Sequence, residues 1–147
     1  MTNQEKKKYL SQAYWLDKHI NSLISERDSI QELKSKCLKC TVSYENDGSQ
    51  SGSHSNSTES AFVNYIDKLN EYEAELSKNI DEFVDVKRKI KQIIMLVPKY
   101  EQREILIKRY LNYDKWEQIA VDMDYTIRRI YQLHGEGLQN IPDKTFH

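Results

Sequence analysis

Two arginines, a glutamine and a threonine near the C-terminus are the side chains with the clearest capacity for chemistry. Thr126, Arg128, Arg129 and Gln132 lie in one short segment, TIRRIYQ. An arginine can donate two hydrogen bonds to guanine O6 and N7, and a glutamine can bind adenine in a similar bidentate manner. A threonine hydroxyl and the first N–H groups of a helix suit a phosphate. Side chains of these types can contact double-stranded DNA, with Lys115 as a weaker candidate for a phosphate contact, but the same residues also fit the solvated face of an ordinary small helix.

Catalytic and metal-binding chemistry is not predicted. Cys37 and Cys40 form a CxxC motif, but a zinc site needs four ligands, and only His19 and His54 lie nearby in the sequence. A redox CxxC normally opens a helix after a strand, whereas this one ends a predicted helix. The sequence has no glycine-rich phosphate loop, no nucleophile elbow and no pair of histidines at metal-binding spacing. We therefore expect no enzyme activity, no metal and no cofactor.

The composition predicts an all-α fold. The chain has 147 residues, 38% of them hydrophobic and 31% charged, with only four glycines and two prolines. These are too few for a sheet-rich chain with many tight turns. The longest apolar run, residues 93–97, is far too short to span a membrane. With no apolar signal segment and only two cysteines, the sequence predicts a cytoplasmic location.

The net charge of −1 predicts only a weak general attraction to nucleic acid. No segment is strongly basic, and residues 98–147 carry eight Lys and Arg against eight Asp and Glu. Any DNA binding must therefore come from a local patch, from oligomerisation or from a partner.

A serine-rich segment at 41–60 is predicted to be a disordered linker. It contains seven serines and two glycines and almost no apolar side chains. Such a segment cannot bury enough surface to offset the entropy cost of ordering it. It separates residues 5–38 from residues 61–97, and in both segments apolar side chains repeat every seven residues. A seven-residue repeat is typical of coiled-coil helices.

Helix length and linker reach favour a chain that folds back on itself. Each segment has roughly 34 residues and spans about 50 Å as a helix, whereas a flexible linker of this length reaches only about 25 Å. Residues 1–97 are therefore predicted to form a long antiparallel helical hairpin. The apolar stripe of 61–97 is wider than one partner helix needs, which also predicts a homodimer or higher oligomer. The predicted oligomerisation contacts are Leu69, Leu76, Ile80, Phe83, Val86 and Ile90.

Residues 98–141 lose this repeat and predict three shorter helices, followed by a tail at 142–147. A helix, a short helix, a tight turn and a longer helix within some 40 residues is the pattern of a helix-turn-helix domain. Asp114 and Thr126 are predicted to cap the second and third helices, and Asp124 to lie in the turn between them. The predicted inner face of the third helix comprises Ile127, Ile130, Tyr131, His134 and Leu138.

The C-terminal segment resembles region 4 of bacterial sigma factors, through LIKRYL, WEQIA and the helix that follows the turn. Such motifs usually place glycine in the turn, where Asp124 stands here. The tail IYQLHGEGL, the opening KKKYLSQAYWLDKHINSLISERDSIQELKSK and the segment DEFVDVKRKI are similar to the ArpU/RinA-type late transcriptional regulators of phages of Gram-positive bacteria. This resemblance covers most of the chain. It implies DNA binding and transcription control in a host bacterial cell.

The resemblance therefore implies a phage or prophage regulator that binds DNA sequence-specifically, and the residues predict that it reads the major groove with the helix at 126–139. Activation of late genes is the expected effect, and the residues themselves are compatible with repression too. Promoter or operator DNA and further copies of the chain are the expected partners, with host RNA polymerase as a further candidate. The alternative is a protein-interaction module that docks on RNA polymerase or another regulator without reading DNA. The zero net charge of the C-terminal segment keeps this alternative open.

Overall fold

The prediction of an all-α protein is confirmed. The computed structural model describes the backbone of residues 1–45 and 55–146, and the side chains of residues 1–39 and 59–146. A 3₁₀ helix at Asp143–Phe146 follows the last α-helix. The α-helices in the described residues are α1 Asn3–Leu10, α2 Gln12–Glu45, α3 Ser55–Ile94, α4 Tyr100–Tyr110, α5 Trp116–Met123 and α6 Ile127–Gln139.

The two long helices continue into the segment predicted to be a disordered linker. Residues 41–45 belong to α2 and residues 55–60 to α3, so the prediction is wrong for these two stretches. Serine, threonine and asparagine within a helix cost only about 0.5 kcal/mol each relative to alanine. A long helix that has already nucleated can therefore propagate through them. The rest of the predicted linker, residues 46–54, lies outside the described residues.

Contacts along the chain divide it into two compact units. The terminal unit comprises residues 1–18 and 81–147, and the middle unit comprises residues 19–80. The predicted boundary at residue 98 does not separate these units, because both ends of the predicted hairpin region pack with the C-terminal helices. The larger core cluster of the terminal unit shows this mixing, since it contains Leu10, Ala13, Ile90, Ile93, Ile94, Val97, Leu106, Tyr110, Leu138 and Ile141.

A second core cluster in the terminal unit holds α4, α5 and α6 together. Ile105 of α4 and Ile119 of α5 are fully buried against Ile130 of α6. Beside this cluster, the buried Gln102 donates a hydrogen bond to Glu136 and accepts one from Asn140, at 3.0 and 2.7 Å. The three helices thus have an apolar core and a polar cross-link between the first and the last of them.

The N-terminal helix is tied to the C-terminal segment that the sequence predicted to be a tail. The ammonium group of Lys6, which is buried, donates to the carbonyl oxygens of Leu138 and Ile141 at 3.1 and 2.7 Å. The same group lies 2.9 Å from the carboxylate of Asp143, which also accepts from the Met1 amino group. These contacts add a charged donor to the Leu138 carbonyl, which also accepts from the Ile141 N–H at 3.3 Å, and supply a donor to the Ile141 carbonyl just beyond the end of α6.

The middle unit has a narrower core between α2 and α3. Leu23 and Leu76 are buried, with 5% and 4% of their surfaces exposed, and both are positions of the predicted seven-residue repeat. Three pairs of side chains connect the helices within this unit. His19 lies 3.9 Å from Glu75. Glu26 accepts a hydrogen bond from the Tyr72 hydroxyl, which raises the pKa of Tyr72. Lys34 lies 5.7 Å from the centre of the Phe62 ring.

Within the described ranges 1–45 and 55–146, no helix combines the length and the apolar composition needed to cross a membrane.

Candidate nucleic-acid interface

The turn between α5 and α6 depends on a left-handed aspartate. Asp124 has φ 56° and ψ 42°, and its backbone N–H donates to carbonyl groups of the last turn of α5. The Tyr125 N–H then donates to the Ala120 carbonyl at 3.0 Å. The prediction that Asp124 lies in the turn between the two helices is confirmed. Aspartate enters this region at lower cost than most residues, and the tight turn places the start of α6 directly after α5.

The first turns of α5 and α6 are held in different ways. The Thr126 hydroxyl accepts a hydrogen bond from the Arg129 N–H at 3.2 Å, so the predicted cap of α6 is confirmed. The predicted cap of α5 by Asp114 is wrong, because Lys115 occupies the capping position and its side chain makes no capping bond. Asp114 serves the loop through its backbone, whose carbonyl accepts from Arg109 at 3.0 Å.

The exposed face of α6 carries all three predicted base-reading side chains. Arg128, Arg129 and Gln132 are exposed, in the first half of the helix. Arg128 and Gln132 are four residues apart and therefore lie on one stripe of the helix surface. The opposite face is buried, and comprises Ile130, Leu133, His134, Gly137 and Leu138.

Two residues that were predicted to face the core lie instead on the surface. Ile127 is 41% exposed and Tyr131 is 50% exposed, so both assignments are wrong. Leu133, which the prediction left out, fills that part of the core with 2% exposure. The Tyr131 ring packs edge-on against Trp116 with the ring centres 5.2 Å apart, and this contact covers part of it. The exposed surface of α6 is consequently more apolar than the sequence predicted.

The two arginines are available for an external anion, whereas the glutamine has an internal partner. Arg128 and Arg129 form no ion pair with any residue that the structure describes. The Gln132 amide donates to Glu136 at 3.3 Å, and the other oxygen of that carboxylate accepts from Gln102. Gln132 must exchange its bond to Glu136 for one to a base if it reads DNA. The carboxylate of Glu136 also limits the positive potential of this face.

A buried aromatic network supports α6 from behind. The His134 Nε2 atom lies 2.9 Å from the Tyr110 hydroxyl, and the Trp116 ring packs edge-on against the imidazole. Burial, with the positive charges of Lys7 and Arg109, lowers the pKa of His134 to about 4. Burial also raises the pKa of Tyr110 to about 12. Both groups are therefore uncharged at neutral pH, and the histidine contributes no positive charge to an interface.

The lysines near α5 differ in their availability. Lys115 is exposed and makes no ion pair within the described part of the chain. Lys108, in contrast, lies 4.0 Å from Glu104 and 3.6 Å from Asp122. Of the two, Lys115 is therefore the one whose charge can meet a phosphate.

Charge is distributed unevenly between the two compact units. The terminal unit carries 16 Lys and Arg against 13 Asp and Glu, a net charge of +3. The middle unit carries six against ten, a net charge of −4. The overall charge of −1 therefore conceals a modest positive excess in the unit that contains α6.

Most of the predicted oligomerisation residues are used within the single chain. Leu76 and Ile90 are buried, and Phe83 and Val86 pack in part against the larger core cluster of the terminal unit. Leu69 is half-buried, whereas Ile80 is 44% exposed. The wide apolar stripe on α3 is explained in large part by intrachain packing. Contacts between copies remain a prediction that depends on the exposed part of this stripe.

Sequence reasoning missed a concave aromatic site elsewhere in the terminal unit. Tyr14 and Trp15 line a cavity of about 370 Å³, together with Arg109, Tyr113 and Lys115. The signal in the sequence is the position of this Tyr-Trp pair, which lies outside the seven-residue repeat and is therefore not required by the helix seam.

The described residues contain no group of three or more side chains that could hold a metal ion. Cys37 of the CxxC motif is half-buried, and the side chain of Cys40 lies outside the described residues.

Comparisons with protein-family models, with curated proteins and with solved structures found no match for this chain.

Proposed function

We propose that the chain is a sequence-specific DNA-binding transcriptional regulator of a phage or prophage, in which α4, α5 and α6 form a helix-turn-helix domain. The observation that carries this proposal is the exposed stripe at the start of α6, where Arg128 and Gln132 lie opposite a buried apolar face. In helix-turn-helix proteins the first half of the second helix enters the major groove. Arginine and glutamine at these positions can form bidentate bonds to guanine and adenine.

Phosphate contacts would flank this base-reading stripe. The exposed Lys115 precedes α5, and Thr126 with the first N–H groups of α6 offers donors to an adjacent phosphate. The net charge of +3 on the terminal unit supports a modest electrostatic contribution. Since few phosphates would be contacted, the affinity of one copy should be low.

We further infer that α2 and α3 form an antiparallel hairpin that joins copies of the chain. Residue numbers fall along α3 as they rise along α2 in the three connecting pairs, from His19 with Glu75 to Lys34 with Phe62. The exposed Ile80 on α3 is the predicted oligomerisation residue best placed to meet a second copy. Two copies held at fixed spacing would raise avidity by roughly 10²–10⁴.

A second candidate function is a protein-interaction module that docks on RNA polymerase or another regulator without reading DNA. It is favoured by the apolar side chains exposed on α5 and α6. Val121 is 76% exposed, Ile127 41% and Tyr131 50%. A surface that binds protein is expected to use such side chains, with the aromatic ring as an anchor.

A gel-shift measurement with sheared genomic DNA at two salt concentrations separates these functions. A DNA-binding protein should lose affinity steeply as salt rises, because phosphate contacts release counterions.

Arg128→Ala and Gln132→Ala should each weaken binding to a selected site by about 1–3 kcal/mol and relax the base preference. Gln139→Ala is the matched control, since this exposed residue lies at the far end of the same helix. Unchanged affinity in both test variants, with the helices intact, would overturn direct base reading.

Light scattering tests the assembly. Ile80→Asp places a charge on the exposed stripe of α3 at a residue that belongs to neither core cluster, and should reduce both the molar mass in solution and the DNA affinity. Asn70→Asp is the matched control, because it adds the same charge at an exposed polar position of the same helix and removes no apolar side chain. Assembly that survives Ile80→Asp would remove this residue from the interface.

A further inference from the structure

We infer that the terminal unit carries a binding site for an aromatic anion of the size of a mononucleotide. The site is the cavity between the junction of α1 with α2 and the loop that follows α4. Its volume is about 370 Å³, and its walls include Ser11, Trp15, Tyr113 and Lys115. This volume lies within the range of small-molecule sites in proteins. The inference does not depend on DNA binding by α6.

Aromatic side chains form one wall of the cavity. The Tyr14 ring packs edge-on against Trp15 and against Tyr113, with ring centres 5.3 and 5.6 Å apart. Trp15 nevertheless keeps 67% of its surface exposed, and Tyr14 keeps 37%. A tryptophan left this open beside a cavity offers a flat face for another ring to stack on. Stacking of this kind tolerates any base, because every base has a π-face.

Positive charges surround the aromatic wall. The Arg109 guanidinium is fixed 4.5 Å from the centre of the Trp116 ring and uses one N–H on the Asp114 carbonyl. Arginine has five such donors, so a ligand could accept from the others. Lys115 is exposed at the rim of the cavity.

Two further lysines lie beside the tyrosines of the wall. The Lys18 ammonium is 5.3 Å from the centre of the Tyr14 ring, and the Lys87 ammonium is 5.4 Å from that of Tyr113. Asp17 contributes a negative charge near this wall, and the half-buried Asp114 lies between the lining residues Tyr113 and Lys115. Burial together with the charge of Asp17 raises the pKa of Tyr113 to about 12. The tyrosine therefore stays neutral, and the surroundings of the cavity are cationic on balance.

The chemistry of the walls identifies the class of ligand. Stacking faces select a planar ring, and arginine with lysine selects a phosphate or another compact anion. A nucleoside monophosphate satisfies both requirements, with its base on Trp15 and its phosphate between Arg109 and Lys115. Neither the nucleoside nor inorganic phosphate alone can use the whole site.

Titration of the full chain with AMP, adenosine and inorganic phosphate tests this inference, by calorimetry and by tryptophan fluorescence. AMP should bind saturably, and removal of either the phosphate or the base should weaken binding roughly tenfold or more, since each stacking contact alone contributes on this scale. Trp15→Ala should weaken AMP binding by a similar factor. Tyr100→Ala is the matched control, because this tyrosine is 72% exposed and does not line the cavity.

Several results would overturn the inference. They are the absence of saturable AMP binding at millimolar concentration, unchanged AMP affinity in Trp15→Ala with circular dichroism intact, equal weakening in Tyr100→Ala, and adenosine binding as tight as that of AMP. Binding of a single-stranded oligonucleotide without binding of AMP would also overturn it, in favour of a site for a strand. If the full chain binds AMP but shows no binding to DNA, the proposed function is wrong and this inference stands.

Discussion

The terminal and middle units differ in how their helices are held, although α2 and α3 run through both. In the terminal unit each helix packs against several others, and side chains such as Ile90 and Leu106 are completely buried. The middle unit has a single seam, in which Leu23 and Leu76 are buried while residues on the other faces of the helices are exposed. A helix therefore owes its local stability to the number of neighbours that cover it, and not to its own sequence pattern alone.

The proposed functions follow the same division. The exposed arginines of α6 and the aromatic cavity both lie in the better-packed terminal unit, which also carries the positive excess. A recognition surface must keep its side chains within narrow limits of position, and a rigid core provides this. The middle unit has a net charge of −4, which disfavours contact with DNA and agrees with the proposal that it joins copies of the chain.

The largest expected effect compares one truncation in each unit, on the same helix. Ile90→Ala should lower the free energy of unfolding by about 2–5 kcal/mol, because a fully enclosed side chain leaves a cavity that cannot collapse. Leu76→Ala should cost less, since the exposed surroundings of the seam can relax into the space. Urea unfolding followed by circular dichroism measures both. Equal losses would show that the middle unit is as firmly packed as the terminal one.

Acid should weaken the terminal unit through His134. Its pKa is about 4 in the folded chain, against 6.5 for an ordinary histidine. Between these values the unfolded chain takes up a proton that the folded chain does not, so stability is complete above pH 6.5 and falls as the pH approaches 4. The loss is about 3 kcal/mol at 1.36 kcal/mol for each pKa unit. His134→Gln should flatten the stability profile over this interval, and a profile as steep as that of the parent would contradict the assignment.

The sequence predicted those features that a regular repeat or a local rule determines. Leu23 and Leu76 follow the seven-residue repeat, and Asp124 and Thr126 follow turn and capping preferences that need only neighbouring residues. The inner face of α6 was predicted less well. Tyr131 lies at the edge of an apolar stripe and fits the helical period, whether or not another helix packs over its side chain. The burial of such a side chain depends on where the other helices lie, and the spacing of apolar residues gives no information on that.

Long-range polar contacts were also beyond sequence reasoning. Nothing in the pattern distinguishes Lys6 from the two lysines that follow it, yet its side chain is buried and theirs are exposed. Its partners are separated from it by more than 130 positions in the chain. Trp15 is likewise far in sequence from Arg109 and Lys115. The aromatic cavity exists because the junction of α1 with α2 lies beside the end of α4 and the loop that follows it.

A smaller effect tests how the two ends of the terminal unit are joined. Lys6→Met should lower the free energy of unfolding by about 1–3 kcal/mol, because the Ile141 carbonyl loses the ammonium donor and the Leu138 carbonyl keeps only a backbone donor, the Ile141 N–H at 3.3 Å. Asp143→Asn should cost less than Lys6→Met, since this carboxylate is 59% exposed and water screens its ion pairs. Urea unfolding of both variants gives the comparison. If Asp143→Asn lowers the free energy of unfolding more than Lys6→Met does, the ion pair and not the carbonyl contacts joins the two ends.

The smallest expected effect separates two glycines of α6 that the sequence presents as equivalent. An added Cβ at Gly135 meets no atom within 4 Å, whereas at Gly137 it lies 3.3 Å from the Gln102 and Leu106 side chains. Gly135→Ala should therefore stabilise the chain by about 0.5–1 kcal/mol, through the greater helix propensity of alanine and the reduced freedom of the unfolded chain. Gly137→Ala should gain less or become destabilising, because α4 must move to admit the methyl group. Unfolding free energies of the two variants decide the matter, and an equal gain at both positions would mean that the contact between α4 and α6 can adjust without cost.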